Sequence, residues 1–305
     1  MSALPRAGRR AHPLVVGVVG AGRVGAVLGA ALEAAGHHVV AVAAVSTASR
    51  ERARRLLPRA EILPADEVAR AAADLLLLAV PDDHLAAVVA GLAATGSLPG
   101  AAAVAHTSGA HGLAVLGDTD GIALHPAMTF TGADADLDRL PGIAWGVTAR
   151  DRAFASRLVT DLGGIPEWVA EDARPLYHAA LAHGANHLVT LVNEAADLLR
   201  AAGVEHPETV LSPLLHAALD NALLLGDAAL TGPVSRGDAG TVRKHLDRIA
   251  PESVPAYLAL ARRTADRAIA AGRLRPRDAA QLLDVLAQAG APVTAPTAPT
   301  VGSLA

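Results

Sequence analysis

The apolar positions along the first 170 residues fall into short runs that are separated by segments with helical spacing. Short apolar runs bounded by Gly, Pro or polar residues are typical of strands buried in a parallel sheet. Strands are predicted over residues 14–19, 38–45, 61–63, 74–80, 102–105, 121–124, 142–148 and 164–169. Because strands alternate with helices, we predict an α/β Rossmann-like domain with a doubly wound, mostly parallel sheet over residues 14–170.

The pattern changes after residue 170, where strand signals stop and Ala- and Leu-rich helical spacing takes over. Helices are predicted over residues 173–202, 207–229, 238–249, 251–272 and 276–289. Gly203 suits the position after the first of these helices, and Pro207 suits the first turn of the second. We therefore expect an all-α domain over residues 171–290, preceded by a flexible N-terminus at 1–13 and followed by a disordered tail at 291–305.

A glycine-rich segment stands between the first predicted strand and the first predicted helix. In dinucleotide-binding folds the first glycine permits a tight turn, the second admits the pyrophosphate, and the third packs helix against strand. Backbone N–H groups and the positive end of the helix dipole then face the phosphates. An ordinary turn in an Ala-rich protein is the alternative, but the strand–helix setting favours a dinucleotide site. The predicted cofactor contacts here are Gly20, Ala21, Gly22, Arg23, Val24 and Gly25.

The residues after the second predicted strand indicate which dinucleotide is bound. An acidic residue there would bind the ribose 2′-OH of NAD, but this chain has Ser46, Thr47 and Arg50. Hydroxyls and a guanidinium suit a 2′-phosphate. Glu51 is the one contrary residue, and it lies about a turn further on. We therefore predict NADP(H), with NAD and an F420-type deazaflavin as less favoured cofactors.

Composition narrows the classes of function. A net charge of −4 gives no broad basic field, so nucleic acid is not an expected partner. Cysteine is absent, and Lys244 is the only lysine, so thiolate chemistry is excluded and a lysine acid has a single candidate. No metal site is predicted. Apolar runs such as residues 75–80 are far shorter than a membrane span, and the first residues do not resemble a secretory signal. We expect a soluble cytoplasmic protein.

Polar residues that follow predicted strands meet at one edge of the sheet. Val80 and Pro81 follow a central strand and are expected beside the cofactor. Ser108 and Gly109 follow the next strand, and His125 follows the one after that. The serine segment could bind a substrate carboxylate or could simply form a turn. The histidine could be a general acid or hydrogen-bond donor, or it could have a structural role before the adjacent proline.

The helix predicted over residues 173–202 carries neutral polar residues on one face, among them His178, His183 and Asn186. A face that is only solvated should carry Arg and Glu, so we interpret this face as lining a substrate cleft between the domains.

Arg236 lies in a later segment with two glycines and a proline, which predicts a rigid loop. It is a candidate clamp for a substrate carboxylate, although a surface arginine on a helix connection is the alternative.

Over residues 14–270 the chain resembles proteins that join a Rossmann-like domain to a helical DUF2520 domain, within the 6-phosphogluconate dehydrogenase-like reductases. The matching residues are 20–25, 106–110, 125–130, 177–180, Asn186, 230–238, 241–242 and 245–246. The resemblance implies a homodimer formed through the helical domain. Because some members are alternative-type ketopantoate reductases, it also implies NADPH-dependent reduction of ketopantoate to pantoate.

The segment that begins at His125 is also similar to one in prephenate dehydrogenases, where that histidine contacts the substrate hydroxyl. More distant relatives place a lysine acid on the long helix, and this chain has none there. We therefore expect His125 or His178 to be the acid, because histidine has a pKa near working pH. Asn186 would then donate to the oxyanion, and Arg236 would hold the carboxylate.

The working hypothesis is therefore reduction of a small 2-oxo acid by hydride transfer from NADPH. Ser108, Gly109 and His183 complete the predicted substrate contacts. Two other classes stay open at this point. One is an NADP-dependent dehydrogenase or an imine reductase of the prephenate dehydrogenase or pyrroline-carboxylate reductase type. The other is a protein that binds NADP without catalysis.

Overall fold

The computed structural model describes residues 12–100 and 102–290, and it divides into two compact units between Ala185 and Asn186. The last strand ends at Trp168, close to the predicted change from strands to helices. The compact division comes later, inside the first predicted helix of the second domain. The predicted C-terminal tail and nearly all of the predicted flexible N-terminus lie outside the described residues.

The first unit contains one sheet of eight strands. The strands are β1 Val15–Val19, β2 His38–Ala43, β3 Glu61–Ile62, β4 Leu75–Leu78, β5 Ala103–His106, β6 Gly121–Pro126, β7 Ala144–Ala149 and β8 Ile165–Trp168. The helices are α1 Arg23–Ala34, α2 Thr47–Leu56, α3 Ala65–Ala71, α4 Asp82–Ala94, α5 Ala135–Arg139, α6 Arg152–Asp161 and α7 Arg174–Leu181. Short 3₁₀ segments cover Leu113–Leu116 and Glu171–Ala173.

The strand order is β3-β2-β1-β4-β5-β6-β7-β8, and the neighbouring pairs from β3 to β6 are parallel. Strand β7 runs antiparallel to β6, and β8 runs parallel to β7. The predicted doubly wound, mostly parallel sheet is thus confirmed. The order reverses at the β1/β4 pair, and in open α/β sheets ligands bind outside the carboxyl ends of the strands at such a point.

Helices cover both faces of this sheet, which explains why β4 is apolar at every position. Leu75 and Leu77 pack in one buried cluster with α1, α2 and α6, whereas Leu76 and Leu78 pack in a second cluster with α3 and α4. Successive side chains of a strand point to opposite faces, so a strand covered on both sides shows an unbroken apolar run.

The start of α1 lies close to the end of β4 because two glycines lack side chains. Gly20 has a φ of +103°, and a Cβ atom there would overlap the Ala79 carbonyl oxygen. A Cβ atom on Gly25 would overlap the Gly20 carbonyl oxygen and lie 2.7 Å from the Ala79 Cβ. These positions suit the tight turn and the close helix–strand packing predicted for the first and third glycines.

The second unit is helical throughout its described elements. Its elements are α8 His187–Ala201, α9 Pro207–Leu225, a 3₁₀ segment Gly226–Ala229, α10 Gly232–Ser235, α11 Ala239–Leu246, α12 Val254–Ala270 and α13 Pro276–Ala289. Its core is built mainly from α11, α12 and α13, with Val242, Ala265 and Leu282 fully buried. Gly203 follows α8 with a φ of +87°, and Pro207 begins α9, as predicted.

The segment predicted as one helix over residues 173–202 is helical throughout 174–201, but it is not a uniform α-helix. A π-helical turn at Ala182–Asn186 separates α7 from α8. A π turn holds more residues than an α turn, so the angular position of every later side chain shifts. The polar face drawn on a single wheel across His178, His183 and Asn186 therefore does not exist as one continuous face.

One helical segment, Pro207–Ser235, is long and apolar enough to cross a membrane by length and composition alone, with a mean hydropathy of 1.2. Polar residues such as His216 and Asp220 interrupt its apolar positions, so it contains no long uninterrupted apolar run. Only 6% of its most apolar window is buried. Leu223 and Leu224 on α9 are 79% and 80% exposed. The second unit thus presents a large exposed apolar surface along α9.

Candidate functional site

A cavity of about 1030 Å³ lies in the first unit, lined by residues at the carboxyl ends of β1, β2 and β4. Its size is at the upper end of the range for small-molecule and cofactor sites. Seven of the predicted cofactor residues line it: Gly20, Ala21, Gly22, Ser46, Arg50, Val80 and Pro81. Four predicted residues, Arg23, Val24, Gly25 and Thr47, are not among its lining. Gly25 instead packs against the sheet, and Thr47 is the first residue of α2.

The backbone amides of the glycine loop divide into two groups. Those of Gly20 and Ala21 both donate to the Ala43 carbonyl oxygen, at 3.1 and 3.0 Å, so they are already used within the fold. The first N–H groups of α1 have no acceptor within the helix. A Cβ atom on Gly22 would meet nothing within 4 Å, so the approach to these amides is open. The amides that stay open to an anion are therefore those at the start of α1, and the first two loop amides are not among them.

Two arginines line the cavity beyond the end of β2. Arg50 donates from Nε to the Ala44 carbonyl oxygen at 3.2 Å, which holds its guanidinium beside this strand end. Arg54, one helical turn later, also lines the cavity and was not among the predicted site residues. Ser46 caps α2 by accepting from the Ser49 backbone N–H at 3.1 Å. Glu51 does not line the cavity, so this end carries two cations and no lining carboxylate.

A second group of side chains meets at the carboxyl end of β6. The Nδ1 atom of His125 lies 3.0 Å from the Tyr177 hydroxyl, and the His125 and His178 ring centroids are 6.0 Å apart. A Cβ atom on Gly109 would lie 2.7 Å from His178 Cδ2 and 3.1 Å from His125 Nε2. The structure therefore brings the predicted residues His125 and His178 next to the predicted Gly109. It adds Tyr177, which was not predicted as a site residue.

The loop that carries Gly109 is held from inside. The Nε2 atom of His106 lies 2.9 Å from the Gly112 carbonyl oxygen, and its Nδ1 accepts the Ser108 N–H at 3.2 Å. The Ser108 hydroxyl accepts the His111 N–H at 3.0 Å, and Ser108 is buried. Ser108 therefore forms the turn that was the alternative interpretation of this segment. This hydrogen bond shapes the loop, and the substrate contact predicted for Ser108 stays a prediction.

A fully buried arginine lies behind this loop. Arg174 donates to the Ser108 carbonyl oxygen at 2.7 Å and to the Thr148 hydroxyl at 3.0 Å. Within residues 12–100 and 102–290 it has no carboxylate within ion-pair distance, and its buried Nε has no hydrogen-bond partner. Burial lowers the pKa of Arg174. Arg174 was not among the predicted site residues. Its position three residues before Tyr177 on α7 places both side chains on one face of that helix, and this spacing could have indicated it.

The protonation state of His125 differs from the expectation. Burial, followed by the charges of Arg174 and His178, lowers the pKa of His125 to about 4. The expectation that its pKa lies near working pH is therefore wrong, and its ring is neutral at pH 7. Burial also raises the pKa of Tyr177, so that hydroxyl keeps its proton. When Tyr177 donates to Nδ1, the single ring proton of His125 is on Nε2, which lies on the ring edge that faces Gly109.

The cavity and the histidine group are linked by Asp82. This residue begins α4 directly after the cavity-lining Pro81, and its negative charge reaches both His125 and Arg174, where burial outweighs it and the pKa of each group stays lowered. Strands β4, β5 and β6 are also neighbours in the sheet. The predicted cofactor turn and the predicted catalytic histidine therefore share one edge of the first unit.

The remaining predicted site residues lie elsewhere. His183 is in the π-helical turn of the first unit, whereas Asn186 and Arg236 belong to the second unit. Arg236 is exposed and follows α10, so the segment predicted as a loop contains a short helix. Asp238 caps α11 by accepting the Thr241 N–H at 3.0 Å. The roles proposed for His183, Asn186 and Arg236 stay predictions.

Two family models match the chain. The model described as a Rossmann-like domain matches residues 3–126, and the domain of unknown function DUF2520 matches residues 143–264. The first range contains the residues that line the cavity and His125, and the second range contains Tyr177 and His178. No curated protein sequence matches the chain.

Several solved structures share the fold. BF3122 from Bacteroides fragilis, which carries the provisional name NADP oxidoreductase, is 22% identical with a TM-score of 0.72, over 83% of this chain and 98% of its own. Protein TM1727 from Thermotoga maritima is 20% identical with a TM-score of 0.62, over 84% and 99%. A reductive aminase from Aspergillus terreus, in complex with NADPH and ethyl levulinate, is 17% identical with a TM-score of 0.60, over 90% and 99%. At these identities the likeness establishes the fold.

The buried histidines predict how stability depends on pH. Burial lowers the pKa of His106 to about 4 from 6.5, so between pH 6.5 and 4 the unfolded chain binds a proton that the folded chain excludes. The free energy of unfolding should therefore fall as the pH falls through this window, by up to about 3 kcal/mol for this residue. Urea unfolding at a series of pH values measures it.

The matched variants are His106→Gln, which should flatten this pH dependence, and His38→Gln. His38 is exposed at the start of β2, so its replacement should leave the slope unchanged. Equal slopes for all three proteins would contradict the assignment of His106 as a buried neutral side chain.

Proposed function

We propose that this chain, which belongs to the proteins that join a Rossmann-like domain to a DUF2520 domain, is an NADPH-dependent oxidoreductase that reduces the carbonyl group of a small 2-oxo acid. The observation that carries the proposal is the neutral His125, with its Nε2 edge toward Gly109, at the same sheet edge as the glycine-lined cavity. Ketopantoate is the first substrate to test because of the family resemblance, and pantoate would be the product.

The residues of the cavity fit NADPH. The open amides at the start of α1 would hold the diphosphate, and Arg50 and Arg54 would hold the 2′-phosphate. When bound, NADPH supplies the hydride. The name of BF3122 and the NADPH in the reductive aminase structure support the same cofactor. NAD is less favoured because no carboxylate lines the end of β2.

The chemistry assigned to His125 is that of a neutral donor. Its Nε2–H would donate to the carbonyl oxygen of the substrate and stabilise the negative charge that develops there. A neutral imidazole can polarise a carbonyl in this way without an imidazolium proton. Tyr177 holds Nδ1 and so keeps the donor on the substrate side. His178 is the second candidate for delivery of the proton, since its ring also borders Gly109.

The electrostatics of the site favour an anionic substrate. Arg174 is a buried cation without an ion pair within the described residues, so its charge is felt at the Gly109 loop and His125. A 2-oxo acid brings a carboxylate next to the reacting carbonyl, which matches this field. Arg236 as a carboxylate clamp and Asn186 as an oxyanion donor remain proposals from sequence, as does a substrate contact for His183.

A reductase acting on an imine is the second candidate, and the fold likeness to the reductive aminase favours it. The same neutral donor could assist reduction of a C=N bond, but an iminium carbon carries positive charge that Arg174 would oppose.

We also propose a homodimer through the helical domain, which the resemblance implies. The exposed leucines of α9 supply an apolar surface for it.

NADPH oxidation, followed by the loss of its absorbance band against a panel of 2-oxo acids with ketopantoate first, tests the proposal directly. We expect turnover with at least one branched 2-oxo acid and none with the matching alcohol and NADPH. Turnover only when an amine and a ketone are supplied together would favour the imine reductase. Tight NADPH binding without turnover on either panel would leave a protein that binds the cofactor without catalysis.

Replacement of Arg50 should separate the two cofactors. We expect Arg50→Ala to weaken NADPH binding by about tenfold or more, because a charge-assisted contact to the 2′-phosphate is lost, with NADH binding unchanged. Fluorescence titration of both dinucleotides measures the two affinities. Arg70→Ala is the control, since Arg70 pairs with Asp66 on α3 and does not line the cavity. An equal loss for NADPH and NADH would contradict a 2′-phosphate site.

Replacement of His125 should affect the chemical step. His125→Ala should lower kcat by roughly 10²–10³, because one donor to the developing oxyanion is lost, while the NADPH affinity stays near that of the wild type. Tyr177→Phe should cause a smaller loss, since only the hydrogen bond that fixes the ring is removed. Because the pKa of His125 is about 4, the wild-type rate should not require protonation of this ring near pH 7. A rate that falls tenfold per pH unit above about pH 5 would indicate an imidazolium acid instead.

A further inference from the structure

The helical unit contains a cavity of its own. It measures about 420 Å³ and lies between α8, the α10 segment, α11 and α12. Apolar side chains form most of its wall, among them Leu191, Leu198, Val234, Ile249 and Leu260. The volume falls within the range of sites that bind small molecules. The residues around it all belong to the second unit, so its description does not involve the cofactor cavity.

A hydrogen-bonded aromatic pair forms part of this wall. The Tyr257 hydroxyl lies 2.9 Å from His245 Nδ1, and the two rings meet edge to face with centroids 6.0 Å apart. His245 is on α11 and Tyr257 is on α12, so the pair joins two helices of the unit. An aromatic ring held in this way offers a fixed surface that attracts organic cations.

A carboxylate lies in the same wall. Glu194 on α8 is half-buried, and it is the only Asp, Glu, Lys or Arg among the lining residues. Within the part of the chain that the structure describes, it takes part in no ion pair, whereas Asp197 on the same helix pairs with Arg200 at 2.7 Å. A half-buried carboxylate without a cation favours a positively charged ligand, because the ligand would supply the missing partner.

We propose that this cavity binds a small organic amine in its ammonium form. The ammonium group would pair with Glu194 and gain from the Tyr257 ring, and an apolar body would fill the space lined by leucine side chains. An ordinary carboxylic acid would be repelled by the same glutamate. The inference therefore does not depend on the proposed function, whose substrate is an anion and whose central residues, His125, Arg174 and Tyr177, lie in the first unit.

The experiment is calorimetric titration of the full chain, without NADPH, near neutral pH with three ligands of matched shape. We expect cyclohexylamine to bind, cyclohexanol to bind at least about tenfold more weakly, and cyclohexanecarboxylate to show no binding. The comparison needs no mutation, so it stands even where a variant fails to fold. Equal affinity for the amine and the alcohol, or no binding of the amine, would overturn the proposal.

Two variants assign the effect to one side chain. Glu194→Gln should weaken cyclohexylamine binding by about tenfold or more and leave the alcohol unaffected, because only the charge is removed. Asp197→Asn removes a carboxylate from the same helix outside the cavity and should bind the amine as the wild type does. Circular dichroism confirms that each variant is folded. An unchanged amine affinity in a folded Glu194→Gln protein would also refute the proposal.

Discussion

The buried guanidinium of Arg174 is the interaction on which the candidate catalytic site depends. It joins the loop after β5 to β7 by donating to the Ser108 carbonyl and the Thr148 hydroxyl, and it does so from the first turn of α7. The same helix presents Tyr177 and His178. One side chain thus fixes the distance between the Gly109 loop and the helix that carries two of the site's rings. Burial of a cation without a partner is unfavourable, and the hydrogen bonds to these two neutral acceptors offset part of that penalty.

That cation also decides which chemistry His125 can perform. In water a histidine exchanges its proton near neutral pH, but burial and the nearby charge of Arg174 keep this ring neutral. A neutral imidazole is a weak acid, and when Tyr177 donates a hydrogen bond to Nδ1, the Nε2–H is left as the donor of the ring. In the proposed reaction, a preorganised hydrogen bond from Nε2 would stabilise the developing oxyanion, and His178 is the candidate that would deliver the final proton.

Most of the fold could be predicted from the sequence because the apolar periodicity changes sharply after residue 170. Buried strands such as β4 show unbroken apolar runs, and Gly203 and Pro207 mark helix ends by their backbone chemistry. The π-helical turn at Ala182–Asn186 could not be predicted in this way. One extra residue in a turn leaves composition and spacing almost unchanged, yet it rotates everything that follows.

The candidate site was predictable only where backbone geometry defines it. The glycine loop and the strand ends place Gly22, Arg50 and His125 at one edge, because parallel strands deliver their carboxyl ends together. Burial and charge are properties of the assembled unit, so neither the neutral state of His125 nor the role of Arg174 could be inferred from the sequence. The net charge of −4 likewise conceals the contrast between the cationic first cavity and the cavity that carries Glu194. The two cavities therefore differ in the charge of the ligand that each would accept, anionic in the first and cationic in the second. This difference comes from the local arrangement of charged side chains, which the net charge of the whole chain does not show.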